Sequence, residues 1–423
     1  MRKNKRKDMS LKPVDAALMA LLRRALFDSA DVENAVTPET DWQAVFLEAS
    51  QQTVLPLALE AALTLPPELQ PDSEMVARFR GLETYIITRN ERLIGAQEDL
   101  LKAFAREKIP CAILKGTSAA CCYPRPELRV LGDIDLLIKR ENLDEAVNIL
   151  TEMGYGQFEC NEEFHLGFSG ERAQVELHFE ATYFPENEMG QFLRALMEGA
   201  LSHLQTASQN GNQFPALTLD RQAVSLLMHI QRHLKATRID LRHLCDIAVF
   251  IAKTSQEEWA QNVIPALRQG GLFRFAQVVA KTCVLYLGLP QHLAPWCLKI
   301  DDGVCYELLA EFLRGGNFGR KDPESQASGV LSADKEGQGA SRSLLVTTLR
   351  NINLFARRNY PIAARMPLVL PLFWVYLPLR YLQNSRKNRG MTEIKRTLSA
   401  GRRRQRLMSQ LGIFEDEPRG KGE

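Results

Sequence analysis

The 423-residue chain has almost no net charge, with 53 Lys and Arg against 51 Asp and Glu, so overall charge points to no partner class. None of its 8 cysteines forms a Cys-x-x-Cys pair, which leaves no spacing typical of a redox dithiol. The basic N-terminus lacks the apolar segment of a secretory signal. We therefore expect a cytoplasmic protein whose cysteines are reduced and mostly buried.

The chain also lacks the run of about 20 apolar residues that a membrane-spanning helix needs. The apolar segment from Met366 to Leu382 contains three prolines, and only 14 residues separate Arg365 from Arg380. From Ser341 to Glu423 there are 17 Lys and Arg against 5 Asp and Glu. This region could lie on an anionic membrane, peripheral to its inner face. The alternative is a proline-broken core segment followed by a solvated basic tail.

Hydrophobic spacing predicts helices on both sides of a short segment that mixes helices and strands. Helical periodicity covers residues 13–80 and returns from Asp220 to about Arg314. Between them, the patterns of Cys111–Leu114, Val130–Lys139 and Gln174–Glu180 are typical of strands. The sequence therefore predicts an α+β fold, in which a small mixed β-sheet core with helices is embedded in a largely α-helical chain.

Changes in composition divide the chain into five predicted regions. They are an N-terminal helical region, the α+β core, a helical domain covering the cleft, a flexible linker and a basic amphipathic C-terminal region, at residues 1–80, 81–215, 216–319, 320–341 and 342–423. Few large apolar side chains occur in the linker, which is typical of disorder. Within the core, a polar loop is expected at Ser208–Gln213.

Two aspartates in the second predicted strand are the first candidates for chemistry. Asp133 and Asp135 alternate with apolar residues, so their side chains point to the same face of the strand. Two such carboxylates repel each other unless a cation lies between them. Mg²⁺ (or Mn²⁺) prefers oxygen ligands, and two carboxylates with substrate phosphates suit it.

The third predicted strand repeats this pattern. Glu176 and His178 share one face, and Val175 and Leu177 share the other. If the second and third strands are neighbours, Glu176 completes a metal site of three carboxylates. Two ions there would activate an attacking hydroxyl and stabilise a leaving pyrophosphate. His178 is predicted either to orient a carboxylate or phosphate, or to be purely structural.

A turn after the first predicted strand is suited to bind phosphate. Gly116, Thr117 and Ser118 open a helix, whose free backbone N–H groups and positive end attract anions. Lys115 adds a cation, and either hydroxyl can donate to a phosphate. Arg129, four residues before the first aspartate, is a second candidate phosphate clamp.

Polar residues of the later helices have less specific patterns. His229 and His233 are four residues apart on a helix, which fits either a zinc pair or a packed polar face, and the second is favoured. Asp246 is expected to pair with Arg242 or Arg238, as a structural ion pair.

Six short motifs follow one another along the chain: Ile113-Leu114-Lys115-Gly116, Tyr123-Pro124-Arg125-Pro126, Arg129, Asp133-Ile134-Asp135-Leu136-Leu137, Gly154-Tyr155 and Val175-Glu176-Leu177-His178. In this order they resemble a bacterial family of uncharacterised nucleotidyltransferases in the polymerase-beta-like superfamily. The resemblance covers about residues 80–320.

The resemblance implies an ATP- or NTP-binding enzyme that transfers an NMP group. It implies that Asp133, Asp135 and Glu176 are the catalytic metal ligands, and it places Gly116 and Ser118 at the superfamily's Gly-Ser phosphate motif. The acceptor is left open between a small molecule, a glycan precursor and a protein, and no specific nucleic acid is predicted. The alternative function is a catalytically silent nucleotide-binding or scaffold protein, tethered through its basic C-terminal region.

Overall fold

The computed structural model describes residues 10–29, 32, 34–158, 164–209, 211–236 and 239–316, parts of 349–377, and 392–413. The strands in these residues are β1 Cys111–Ile113, β2 Ile134–Ile138, β3 Gly156–Phe158, β4 His165–Ser169, β5 Gln174–His178, β6 Leu204–Gln209 and β7 Asn212–Leu217. In the described part of the chain they form one sheet with the order β3-β4-β5-β2-β1-β7-β6.

Strand directions in this sheet are mixed. β2 pairs in parallel with β5, and β1 pairs in parallel with β7, whereas the other neighbours are antiparallel. In the β2–β5 pair, Asp135 lies opposite Glu176. A mixed sheet in a largely helical chain confirms the predicted α+β class.

Helices account for most of the remaining described residues. They are α1 Pro13–Phe27, α2 Trp42–Gln51, α3 Leu55–Leu63, α4 Ser73–Arg106, α5 Thr117–Ala120, α6 Leu143–Glu152, α7 Glu188–Glu198, α8 Leu219–Ala236, α9 Leu241–Lys253, α10 Gln256–Glu258, α11 Ile264–Gln269, α12 Phe273–Thr282, α13 Asp302–Gly315 and a C-terminal helix, Thr392–Leu411. Asp72 caps α4 by accepting from the Met75 N–H, and Pro13 and Pro56 stand in first turns, where no N–H is needed.

One face of the sheet packs against α4 and α6. Ile134, Leu136 and Ile138 of β2 are all buried in an apolar cluster with Leu100 of α4 and Leu150 of α6. This alternation follows from the two-residue period of a strand. It leaves the odd positions of β2, including Asp135, on the opposite face.

The opposite face is covered by the helices that follow the sheet in the chain. Leu137 of β2 belongs to a second apolar cluster, which also contains buried residues of α1–α3, α8, α9, α12 and α13. The buried Gln52 side chain joins these helices, since it accepts from the Leu241 N–H and donates to the Phe312 carbonyl. N-terminal and later helices therefore share one core.

The C-terminal helix also contributes to this core. Leu407 and Leu411 are fully buried in the second cluster, and Arg404 is only 4% exposed near Glu311. At least this part of the basic region is therefore packed, not solvated. In the described part of the chain, no helix is both long enough and apolar enough to cross a membrane.

The three predicted strands are confirmed, each with shorter bounds than predicted. The expected polar loop at Ser208–Gln213 is wrong, because Ser208 and Gln209 belong to β6, and Asn212 and Gln213 belong to β7. The strands β3 and β4 also were not predicted. The five-region division stays a prediction, and the linker 320–341 lies outside the described residues.

A buried ion pair joins the sheet region to α9. Arg129 donates from Nε to Asp246 Oδ1 at 2.8 Å and from Nη2 to Oδ2 at 2.7 Å, and the Tyr123 hydroxyl donates to Oδ1 at 2.7 Å. The predicted pairing of Asp246 with Arg242 is corrected here, and Arg238 lies outside the described residues. Burial raises the pKa of Asp246, but the charges of Arg129 and Arg242 and the hydrogen bonds from Arg129 and Tyr123 together lower it overall.

We expect Asp246→Ala to lower the free energy of unfolding by about 3–5 kcal/mol, because Arg129 would remain buried without a counter-charge. The matched control is Arg125→Ala in the exposed pair with Glu60, where about 0–1 kcal/mol is expected. Denaturant unfolding measures both. If the double variant Arg129→Met with Asp246→Leu recovers none of the loss, an uncompensated charge is not its cause.

Candidate functional site

Three carboxylates converge at the ends of two paired strands. Asp133 directly precedes β2, Asp135 lies in β2 and Glu176 lies in β5. One carboxylate oxygen from each lies within 4.8 Å of those of the other two. The Asp135–Glu176 register and the alternation of β2 produce this convergence, as the sequence pattern predicted.

Lys115 provides a cation beside these carboxylates. Its Nζ lies 2.5 Å from Asp135 Oδ2 and 3.8 Å from Asp133 Oδ1. Burial alone would lower the pKa of Lys115, but the charges of Asp133, Asp135 and Glu176 raise it. The lysine therefore stays protonated and offsets part of the negative charge.

His178 bridges the two strands that carry the carboxylates. Its Nε2 lies 3.1 Å from Asp135 Oδ1 and 3.3 Å from Glu176 Oε2. Burial lowers the pKa of His178, yet hydrogen bonds to these two carboxylates raise it overall. For Glu176, burial raises the pKa, and the hydrogen bond from His178 and the Lys115 charge lower it well below its usual range. His178 therefore orients carboxylates in this structure.

The loop that carries Asp133 is held by long side chains from two helices. Asn90 of α4 donates to the Arg129 carbonyl and accepts from the Leu131 N–H, at 2.8 and 3.0 Å. Arg89 donates to the carbonyls of Leu131 and Gly132 at 2.9 and 2.8 Å. These bonds satisfy backbone groups that no strand partner reaches. They set the position of Asp133 from outside the sheet.

From α9, Arg242 donates to the Val130 carbonyl at 3.0 Å. The same loop is thus held from the sheet side by α4 and from the cleft side by α9. A change in how α9 packs would move the Asp133 carboxylate.

Gly116 gives the turn before α5 a backbone that other residues rarely adopt. Its φ is +69° and its ψ is −108°. A Cβ atom built there would lie 3.6 Å from the Asp133 carbonyl oxygen, so space is available and the backbone angle is the constraint. Glycine at this position brings Lys115 next to the carboxylates while the chain turns into α5.

The hydroxyls after Gly116 are not directed into the cleft. The buried Thr117 Oγ1 donates to Gln97 Oε1 of α4 at 2.6 Å. Ser118 Oγ is buried, and no hydrogen-bond partner for it lies among the described residues. The cleft lining includes Lys115 and Gly116 but neither hydroxyl residue. In this structure the Thr117 hydroxyl therefore hydrogen-bonds to α4 and does not face the predicted phosphate position.

Arg129 borders the same cleft, but its Nε and Nη2 donate to Asp246 and its Nη1 donates to the Val130 carbonyl. The residue is 4% exposed. In this structure Arg129 thus links the site to α9, and the predicted phosphate clamp is not formed.

Two residues at the site were not predicted from the sequence. Arg232 of α8 lines the cleft with Lys115 and His229, and its guanidinium lies 5.5 Å from the Phe164 ring. His165 of β4 lies opposite His178, with its Nε2 3.8 Å from Glu176 Oε1. Burial lowers the pKa of His165 to about 4, so it is neutral at physiological pH. Neither residue belongs to a recognisable local motif.

The α8 and α9 side of the cleft carries three histidines. His229 and His233 lie on α8 and His243 lies on α9, and one ring nitrogen of each lies within 4.8 Å of the other two. His229 and His243 line the cleft together with Asp133 and Asp135. The sequence predicted a histidine pair, and the third member became visible only in the fold.

The α+β fold is consistent with a nucleotidyltransferase, and a family match identifies this class. The sequence profile of a family described as "Uncharacterised nucleotidyltransferase" matches residues 38–288, more than half of the chain. The protein belongs to this family. The matched residues include the carboxylates, Lys115 and all three histidines. No curated protein matches the chain.

We expect Gly116→Ala to lower the free energy of unfolding by about 1–2 kcal/mol, because a left-handed backbone angle is unfavourable for alanine. Gly81→Ala is the matched control, since Gly81 lies in α4 with no atom within 4 Å of an added Cβ. There, a gain of about 0.5–1 kcal/mol is expected. Thermal or denaturant unfolding measures both changes, and equal effects at the two positions would contradict the assigned role of the turn.

Proposed function

We propose that the protein transfers an NMP group from an NTP to an acceptor, using Mg²⁺ or Mn²⁺ held by Asp133, Asp135 and Glu176. One observation carries this proposal: three carboxylates from paired strands converge within 4.8 Å beside a buried lysine. Family membership supports nucleotidyl transfer in general. The ion, the residue roles and the acceptor are the proposed part.

The residues present fit a hard divalent ion. All three donors are carboxylates, which Mg²⁺ and Mn²⁺ prefer together with phosphate oxygens. The low pKa of Glu176 keeps this side chain ionised and available as a ligand, and makes it a weak proton acceptor. When bound, such ions would activate the acceptor hydroxyl and stabilise the leaving pyrophosphate.

We assign phosphate binding to the cations that face the cleft. Lys115 is paired with Asp133 and Asp135. A divalent ion would bind these carboxylates in its place, and the lysine would then pair with the triphosphate. Arg232 of α8 lines an adjoining pocket that shares Lys115 and His229 with the carboxylate cleft, and it replaces Arg129 as the second candidate phosphate ligand. The Gly116 turn adds a backbone N–H beside the lysine.

We infer the chemical class of the acceptor from the side of the cleft that α8 and α9 form. This side is polar, with His229, Arg242 and His243 among its residues. This suits a polar or anionic acceptor, such as a small molecule, a glycan precursor or a peptide group. The alternative proposal, a silent nucleotide-binding scaffold, predicts NTP binding without turnover.

We expect Asp133→Ala with Asp135→Ala to reduce product formation by at least about 10³-fold, because loss of metal stabilisation removes several kcal/mol from the transition state. The assay incubates the protein with α-labelled NTPs and Mg²⁺ or Mn²⁺, and follows labelled products, self-modification and pyrophosphate release. Asp144→Asn, in the first turn of α6 and exposed, is the matched control.

A parallel binding measurement separates the two proposals. Metal-dependent NTP binding without pyrophosphate release across a panel of acceptors favours the scaffold. Turnover that survives the double aspartate variant excludes the proposed site. A thermal shift with NTP that needs Mg²⁺ in the wild type but is absent in the double variant supports it.

For the C-terminal region we propose peripheral contact with an anionic membrane. The described residues 366–377 expose large apolar side chains, with Leu368, Leu372 and Val375 at 91%, 69% and 61%. Leu370 and Phe373 of the same segment are buried. The segment therefore has one buried and one exposed apolar side. The surrounding excess of Lys and Arg supplies attraction to anionic lipids.

We expect Leu368→Ser with Leu372→Ser to lower the fraction of protein that floats with anionic vesicles. Two exposed apolar side chains that would insert into the membrane surface are then replaced by polar ones. Deleting residues 342–423 is a poorer test, since it also removes the packed C-terminal helix. Tyr85→Ser, at an exposed apolar position on α4, is the matched control. Equal recovery of all variants, or flotation equal with neutral vesicles, contradicts the proposal.

A further inference from the structure

The three histidines of α8 and α9 form a cluster with the properties of a transition-metal site. His229 and His233 are one helical turn apart on α8, and His243 reaches them from the first turn of α9. Their ring centroids are 4.3, 4.9 and 5.1 Å apart. Two packed helices therefore bring together three imidazoles.

Asp240 fixes the ring orientation of His243. Its Nδ1 lies 3.0 Å from Asp240 Oδ1 and 3.2 Å from the Asp240 carbonyl oxygen, so this nitrogen is the donor. The lone pair of a neutral ring is then on Nε2, which points at His229. A carboxylate behind a histidine is the usual support for a metal-ligating imidazole. Asp240 is 1% exposed, so its contact with His243 is shielded from solvent.

The nitrogen atoms lie at a separation that one ion can bridge. His229 Nε2 and His243 Nε2 are 3.1 Å apart. For tetrahedral zinc with Zn–N bonds of about 2.0–2.1 Å, two ligand nitrogens are about 3.3 Å apart. The third nitrogen, from His233, lies within 4.8 Å of both.

Burial also favours the neutral form of His229 and His233. Burial lowers the pKa values of His229 and His233 well below the usual value, and the neighbouring imidazoles lower them further. Neutral rings bind metal, whereas protonated rings do not. His233 Nδ1 is buried and has no hydrogen-bond partner among the described residues. Nearby Lys115 and Arg232 oppose a further cation, and the ionised Asp240 offsets them.

We propose that His229, His233 and His243 bind a Zn²⁺ ion, supported by Asp240 and distinct from the carboxylate site. Three imidazole ligands leave a fourth position of a tetrahedral ion open, as in zinc sites that bind a water or substrate. His229 and His243 line the cleft that contains Asp133 and Asp135. The ion would therefore offer that position to an anionic or hydroxyl group of the bound substrate.

This proposal does not depend on nucleotidyl transfer, because its test measures metal content. The full chain is purified, stripped with a chelator, reloaded with Zn²⁺ in excess Mg²⁺ and assayed for bound zinc. About one zinc per chain is expected for the wild type. Co²⁺ loading provides a second measurement, since tetrahedral coordination by imidazoles gives a characteristic visible spectrum.

The variants separate the two candidate sites. His233→Ala and His229→Ala should lose the zinc and the cobalt spectrum, and Asp240→Asn should weaken zinc affinity by about 10–100-fold. His292→Ala, an exposed histidine outside the cluster, is the matched control and should keep both. Asp133→Asn with Asp135→Asn should also keep both.

Loss of zinc only in the aspartate variant overturns the proposal, as does the absence of stoichiometric zinc in the folded wild type. Circular dichroism of each variant shows whether it is folded. For a histidine variant that does not fold, the cobalt spectrum of the wild type and the affinity of Asp240→Asn decide the question. A wild-type spectrum of octahedral cobalt also contradicts the proposal.

Discussion

Electrostatic repulsion among Asp133, Asp135 and Glu176 is the constraint on which the site depends. Parallel pairing of β2 with β5 places like charges within 4.8 Å, where they destabilise one another unless cations lie close. Lys115 and His178 supply positive charge in the structure, and a bound divalent ion would supply more. The fold thus holds three carboxylates close together and places Lys115 and His178 beside them.

The surrounding contacts keep this arrangement rigid. Asp133 lies at the end of a loop held by Asn90 from α4 and by Arg242 from α9. Arg129 and Asp246 add a buried ion pair between the same loop and α9. Arg129, which the sequence suggested as a phosphate ligand, therefore joins the sheet region to α9. The cleft is a product of both parts of the chain.

The α8–α9 junction contributes His229 and His243 to this cleft, with His233 beside them. Histidine nitrogens on one wall and carboxylates on the other provide two different types of donor. Imidazoles favour zinc and related ions, whereas carboxylates favour magnesium, so two metals need not compete for one site.

Sequence alone predicted the features that depend on neighbours in the chain. The two-residue alternation of β2 and β5 placed Asp133, Asp135 and Glu176 correctly, because side-chain direction in a strand is a local property. It failed for β3 and β6, whose residues are mostly exposed and show no apolar alternation. Such strands form because a neighbouring strand satisfies their backbone.

Helical periodicity and strand alternation were thus encoded locally, and so was the set of residues that could carry chemistry. Which of these side chains contact one another was decided by the tertiary structure. Arg129 and Asp246 are 117 residues apart, and His229 and His243 meet only because α8 and α9 pack side by side. No local pattern specifies which cation reaches which carboxylate, since that depends on how distant helices bury their apolar faces against the sheet.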